Sequence, residues 1–358
     1  MENMHEPRVI QIVPIGSVAR DDLLAAAATT RAVFGAEAVL MPAVPVPAPA
    51  YRADRVQHDA DALLELLFDK LALDVARVIG VTEVDLFAEG RNFVFGYAHM
   101  RDRVAVFSTR RLKDSFWGRP ANPLAYRQRI DKALIHELGH TFHAAHCSEP
   151  RCVMRQVEHL WQLDELAVEL CASCDARIGV VASRGVSSAE SLFELAGSYM
   201  RRRRFGRAAA AYTAACARAP ENPHYANDLG VALLATGDRV AAAGAFQRAV
   251  LLCPDLPHAY YNLGIVFREG GDIGTADRFF AEALVRDGDL RQAHRYLGIL
   301  HQDYFQDPPR ALAYLERYVA LGGEDHDVRR RLRQIQRDLD PRGMDELACT
   351  SRRLILEG

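Results

Sequence analysis

The chain has 358 residues, of which 49% are hydrophobic and 25% charged, with a formal net charge of −3. That length is long for one ordinary domain and suits two, each able to bury a core, and the composition is that of a soluble globular protein rather than a disordered or fibrous one. So near-neutral a balance gives no general attraction to nucleic acid or to a membrane surface, and neither is expected as a partner. No apolar run is long enough to span a bilayer, and the first residues lack the basic-then-apolar order of a secretory signal. Seven cysteines without a secretory context fit a reducing compartment, so the expected location is cytoplasmic. In chain order, the isoleucine- and valine-rich run 8–15 predicts a buried strand, 21–33 a helix and 38–40 a second strand. Pro42, Pro45, Pro47 and Pro49 exclude a helix and predict an extended loop. Residues 59–79 read as an amphipathic helix with Leu63, Leu64, Leu66, Leu67 and Leu71 inward, and 84–87 as a strand. Segments 93–99 and 104–108 predict a strand pair joined through Met100, Arg101 and Asp102. Asn122 and Pro123 read as the N-cap and first turn of a helix whose buried stripe is Ile130, Leu134, Leu138 and Phe142.

That helix carries His136-Glu137-Leu138-Gly139-His140, an HExxH pattern. Two imidazoles one helical turn apart share a face and can reach one Zn²⁺, and the glutamate between them can work on water at the metal. His146, six residues past His140, is the expected third ligand. The helix must then end soon after His140 and the chain turn back, which puts His143 at the turn; histidine is among the non-glycine residues that tolerate positive φ. Two alternatives stay open: His143 itself, if the helix runs on, or Glu165 or Glu169 on a later helix expected over 161–178. Cys147 and Cys152, followed by Cys171 and Cys174, have the spacing of a closed four-cysteine zinc site, against the plainer reading of four buried thiols. A redox role for the CxxC pair is weak, because a zinc site uses all four thiols. Cys216, Cys253 and Cys349 are left as unpaired thiols. Met154, as a lone residue, reads as core, and His99 is read as a bystander.

Residues 136–174 resemble an archaemetzincin, a family that combines HExxHxxGxxH, an adjoining four-cysteine zinc site and a CxM methionine turn. The likeness extends upstream through Ile10 to Gly16, Val84 to Phe87, Asn92 to Gly96 and Ser108 to Leu112, and covers roughly residues 8–178. It implies an α+β (α/β/α-like) metzincin zinc-peptidase domain over 1–179 that hydrolyses peptide bonds. It implies two zinc ions, one catalytic on His136, His140 and His146 with Glu137 as general base, and one structural on Cys147, Cys152, Cys171 and Cys174. It also implies Met154 in the methionine turn and weak or selective turnover, of which the aminopeptidase kind is one form. This chain departs from the pattern at His143, where the family usually has glycine. The segment 93–99 resembles the edge strand that binds substrate backbone in metzincins, with Gly96 permitting close approach; an internal strand without a substrate role is the other reading.

Small and turn-forming residues at 180–189 predict a linker, with Ser187 and Glu190 spaced as a capping box. From there a 34-residue period runs through Leu195, Leu229, Leu263 and Leu297, and through Ala196, Gly230, Gly264 and Gly298. Tyr212, Phe246 and Phe280 keep the same period, and a one-residue insertion precedes Ala311. This pattern is similar to tetratricopeptide repeats, which implies an all-α solenoid of about four units over 190–325, with a capping helix and tail over 326–358. The basic run Arg201 to Arg204 is read as a solvated helix end or a grip for an acidic partner. Two functions compete: a zinc metallopeptidase whose repeats recruit a protein or peptide partner, and a catalytically silent platform whose repeats carry the function. Glu137 argues against the second, since a scaffold needs no base between two ligands.

Overall fold

The structure, a computed structural model, describes residues 8–100, 102–183 and 188–339. The chain forms two compact units, Met1–Arg202 and Arg203–Gly358. The first opens with β1 (Val9–Ile15), α1 (Arg20–Phe34) and β2 (Glu37–Leu40), then passes through the proline loop to β3 (Tyr51–Arg52) and β4 (Gln57–Asp59). It continues with α2 (Ala60–Phe68), β5 (Arg77–Thr82), β6 (Leu86–Phe87), β7 (Gly96–Ala98) and β8 (Val104–Ser108). Four helices follow: α3 (Pro123–Thr141), α4 (Leu160–Glu165), α5 (Ala172–Ser183) and α6 (Ala189–Arg201). The main sheet has the order β2-β1-β5-β8-β7, parallel except for β7, which runs antiparallel to β8 and forms an edge. A three-stranded sheet, β3-β4-β6, lies apart from it.

Side-chain alternation along the strands gives the main sheet two buried faces. Ile12 of β1, Ile79 of β5 and Phe107 of β8 pack with Leu134 and Leu138 of α3 and Ala26 of α1. The intervening Val78, Val104 and Val106 are equally buried, and α2 packs against β5 and β8. Helix α3 begins as the sequence implies: the Asn122 side chain accepts from Ala125 N at 3.1 Å, and Pro123 occupies the first turn.

Two expected helices are too long. The 59–79 helix stops at Phe68, and its last residues are the central strand β5. A strand covered on both faces reads as an unbroken apolar run, and so continued the helix pattern in the sequence. The expected 161–178 helix is broken between Glu165 and Ala172. There the backbone is drawn onto another loop, with Ala167 N donating to Arg151 O at 2.8 Å and Val153 N to Glu169 O at 3.3 Å. Helix α6 starts at an N-cap of Ser188, whose Oγ accepts from Ser191 N, one residue beyond the expected cap; Ser187 lies outside the described residues, as do Arg101, Cys349 and the tail. The basic run starts as an exposed helix end at Arg201, but Arg202 is buried against the first unit: the two donate to Asp102 at 3.3 and 2.6 Å. Tyr199 of α6 donates to Leu71 O at 2.9 Å, with its ring edge-on to Phe68.

The second unit consists of α7 (Phe205–Arg218), α8 (Pro223–Thr236), α9 (Arg239–Leu252), α10 (Pro257–Glu269), α11 (Ile273–Arg286), α12 (Arg291–Asp303), α13 (Pro308–Ala320) and α14 (His326–Leu339). Its repeating contact is a glycine under a large side chain. A Cβ on Gly230 would stand 2.5 Å from the Phe246 ring, and one on Gly264 2.6 Å from Phe280. Leu315 fills the same place over Gly298, in register with the single inserted residue ahead of Ala311. No helix among the described residues is long and apolar enough to cross a membrane.

Candidate metal centres and cleft

Helix α3 brings His136 and His140 onto one face, with their Nε2 atoms 3.1 Å apart. Each Nδ1 points at a carbonyl 2.8 Å away, His136 at Val153 O and His140 at Ala144 O. Both Nδ1 atoms therefore carry the proton and donate, so both Nε2 atoms present lone pairs to one another. Burial, reinforced by the neighbouring rings, holds the two imidazoles neutral, at about 3 for His136 and about 4 for His140. Two facing lone pairs at hydrogen-bond distance with no proton between them repel, and a cation between them resolves the repulsion. His146 completes the group, its ring centroid 4.8 Å from that of His140 and 5.4 Å from that of His136.

The turn that delivers His146 is the expected one. Helix α3 ends at Thr141, His143 has φ of 63°, and Ala144 N donates back to Gly139 O at 3.1 Å. This closes the last helical turn as glycine does in other helices. His143 points away from the histidine cluster, toward Glu194 at 3.9 Å. Neither Glu165 nor Glu169 joins either ligand group. His99 pairs with Asp61 at 2.7 Å, apart from the cluster. The helix end is further held from the central strand. Arg77 Nε donates to Thr141 O at 3.0 Å, and its guanidinium lies over the Phe142 ring at 4.2 Å. Burial lowers Arg77 to about 9, which leaves it charged at neutral pH beside the negative end of the helix dipole.

Beneath the cluster, Val153 and Met154 act together. The Val153 carbonyl orients His136, and the fully buried Met154 packs so closely on Gly139 that a Cβ there would stand 2.5 Å from its sulfur. Glu137 is buried beside the cluster, and burial pushes its carboxyl up to about 8. Its carboxylate lies against the backbone of Gly96 in edge strand β7, where a Cβ would come within 2.6 Å of Oε1. The cluster opens into a cleft of about 650 Å³, walled on one side by 89–98 and on the other by Gln156, Val157, Glu158, His159 and Leu163.

Cys147, Cys152, Cys171 and Cys174 converge as a second group, with Cys147 Sγ and Cys171 Sγ 3.8 Å apart. Backbone N–H groups point at the sulfurs, Glu149 N at Cys147 and Cys171 N at Cys152, each at 3.4 Å. The Cys174 N–H lowers Cys171 to about 7, while burial raises Cys152 and Cys174. Four free thiols facing one another with backbone donors at their sulfurs match the soft tetrahedral donor set that zinc takes. The break between α4 and α5 makes this possible, since it sets Cys171 just ahead of α5 and Cys174 in its first turn.

Several groups that hold the site carry no spacing signal: Arg77, the Ala144 and Val153 carbonyls, and Gln156, whose amide lies between His146 Nδ1 at 3.2 Å and the Arg91 guanidinium at 2.9 and 3.1 Å. A charged Arg77 in an apolar strand was the one visible hint.

Residues 36–179 match the model of Peptidase family M54, and 193–257 match a tetratricopeptide repeat model. The archaemetzincin of Haloarcula marismortui is 34% identical over 172 residues, which is 47% of this chain and 98% of that protein. The archaemetzincin of Pyrococcus furiosus is 33% identical over 186 residues, or 49% of this chain and 95% of that one. Among solved structures, archaemetzincin from Archaeoglobus fulgidus, crystallised with malonate, is 32% identical, with 47% of this chain and 99% of that chain covered and a TM-score of 0.42. With relatives matched over nearly their whole length and the motif residues gathered as described, the chain belongs to the archaemetzincin family of zinc metallopeptidases and carries tetratricopeptide repeats behind its peptidase domain.

Proposed function

We propose that the cleft hydrolyses peptide bonds, with His136, His140 and His146 holding a catalytic zinc, Glu137 acting as general base, and the four cysteines holding a second, structural zinc. The observation that carries this reading is the pair of unprotonated Nε2 atoms 3.1 Å apart beside a buried carboxyl group, in a cleft with an open strand edge. When bound, zinc supplies a Lewis acid that polarises the scissile carbonyl and acidifies water. The chain's own residues do the rest. The free edge of β7 pairs with extended substrate backbone and sets the scissile bond beside Glu137. Glu137, held against Gly96 and shielded from solvent, takes the proton of the attacking water and returns it to the leaving amine. The Val153 and Ala144 carbonyls keep two ligand rings in the tautomer that presents Nε2. The cysteine site clamps the residue after His146 and so holds that ligand in place. The repeats, on this reading, hold a protein or peptide partner and raise its effective concentration at the cleft.

The test is to incubate zinc-loaded protein with a mixed peptide library and read the products by mass spectrometry, with Glu137→Ala alongside. Cuts that vanish in the variant establish hydrolysis at this site, and their positions separate terminal trimming from internal cleavage. With about two zinc ions per chain measured by elemental analysis, an absence of cuts in both samples favours the platform reading.

A further inference from the structure

We infer that Arg91 selects substrates bearing a carboxylate beside the scissile bond, a selectivity that rests on the peptidase reading above. Among the described residues that line the cleft, Arg91 is the only arginine or lysine. Among the described residues it has no carboxylate partner, and its exposed guanidinium meets the Gln156 amide at 2.9 and 3.1 Å. That amide also reaches His146 Nδ1 at 3.2 Å, which places the cation one side chain away from the third ligand ring. The loop beneath it is fixed. Arg55 donates to Arg91 O at 3.1 Å and to Asn92 O at 3.0 Å, Gln57 of β4 also donates to Asn92 O at 3.0 Å, and Arg91 N donates to Ala88 O at 3.0 Å. The small sheet thus presents Arg91 on a rigid backbone at the mouth of the site.

The guanidinium has donors to spare for an anion. The Gln156 amide oxygen accepts from only two of the five guanidinium N–H donors, and the remaining donors of Arg91 line the cleft. A planar carboxylate fits such a fork with two parallel hydrogen bonds. Adjacent residues of an extended peptide lie about 3.8 Å apart at Cα, so the carboxylate belongs to a residue within one or two of the bond that Glu137 attacks. It can come from an aspartate or glutamate side chain or from a free C-terminus.

The experiment compares wild type with Arg91→Met on matched peptides: free acid against C-terminal amide, and aspartate against asparagine at each of the two positions on either side of the cut. The expected result is a kcat/KM about tenfold or more higher for one carboxylate member of a pair in wild type, a preference that Arg91→Met abolishes while the neutral member is unchanged. The free-acid and aspartate arms identify the source of the carboxylate. Equal rates for all pairs in wild type, or an equal fall for charged and neutral members in Arg91→Met, overturns the inference. The same pairs are titrated by calorimetry onto zinc-loaded Glu137→Gln and onto the Glu137→Gln, Arg91→Met double variant. If no peptide is hydrolysed, tighter binding of the carboxylate member that depends on Arg91 still supports the inference although the peptidase reading fails. Equal binding in both variants overturns the inference by itself.

Discussion

Gly96 sets how close the edge strand can come to Glu137, the proposed base. An added Cβ would stand 2.6 Å from Glu137 Oε1, so Gly96→Ala must displace the carboxylate, the backbone of β7, or both. Misplacing a general base by such an amount costs on the order of a hundredfold in rate, and the three atoms nearest the added Cβ all belong to Glu137. Gly96→Ala is therefore expected to lower kcat about a hundredfold with zinc content and melting temperature close to wild type; unchanged turnover would remove Glu137 from the mechanism. His143 offers the complementary case. It occupies left-handed backbone, with φ of 63°, without the freedom of glycine, at a cost of roughly 1 kcal/mol. His143→Gly should raise the melting temperature by a few degrees and leave zinc stoichiometry intact, while His143→Val, which is β-branched, should destabilise by about 1–2 kcal/mol. Loss of zinc from His143→Gly, read by elemental analysis, would mean that His143 is a ligand after all. At this scale the sequence was legible wherever chemistry imposes spacing. The helical turn between His136 and His140, the six residues to His146 and the cysteine pairs could all be read directly, and positive φ at His143 followed from the need to turn. The supporting groups could not be read, because a backbone carbonyl such as Val153 O has no residue identity, and Gln156 and Arg91 meet His146 only through the fold.

At the scale of elements, Arg129 joins α3 to the segments on either side. Its guanidinium donates to Leu112 O and to Asp114 at 2.9 Å, and to both oxygens of Asp164 at 2.6 and 2.7 Å. Burial of Asp114 works against its charge, but the hydrogen bonds from Arg129 and from Asn122 N more than offset it, and its pKa lies below the ordinary value. A depressed carboxylate contributes stability that is complete above the unfolded value of about 3.9 and is lost as pH falls through the lower native value. Asp114→Asn is expected to cost about 1–3 kcal/mol at neutral pH. The gap between its melting temperature and that of wild type should hold from pH 7 to about 5 and close only below about 4; a gap independent of pH would show that shape rather than charge is at work. The elements that escaped sequence reading did so for separate physical reasons. Periodicity reports burial on one face, so β5, buried on both, merged with the helix before it, and the turn at 69–76 had too little glycine or proline to mark a boundary. The break between α4 and α5 was hidden because the backbone there is satisfied by Arg151 and Val153 rather than by local turn chemistry. Strands β3 and β4, of two and three residues, are too short to show alternation, whereas β6 falls inside the expected 84–87 strand.

In the whole molecule, the repeats were the most legible part, because each unit solves the same packing problem and writes the same residues at the same register. Even the inserted residue before Ala311 could be counted from the ladder, and Leu315 takes the place of an aromatic over Gly298. The period alone did not disclose that α6, which carries Leu195 and Ala196, belongs to the first unit, where Tyr199 donates to Leu71 O and Arg202, just past its end, donates to Asp102. A solenoid is held by nearest-neighbour contacts, so damage at one glycine should be felt locally. A Cβ at Gly264 would meet three atoms of the Phe280 ring within 2.9 Å, and Phe280 is fully buried, so its ring has nowhere to retreat. Overpacking of this kind costs about 1–3 kcal/mol, partly offset for alanine by roughly 1 kcal/mol of helix propensity; Gly264→Val loses that offset and adds bulk. Amide hydrogen exchange in α10 and α11 should therefore rise modestly in Gly264→Ala and at least tenfold in Gly264→Val. Hydrolysis of a short peptide, which engages only the cleft, should be unchanged in both. Protection in α10 and α11 that survives the valine would mean the glycine contact is not what holds the units together, and the shared aromatic and alanine positions would then have to carry the array.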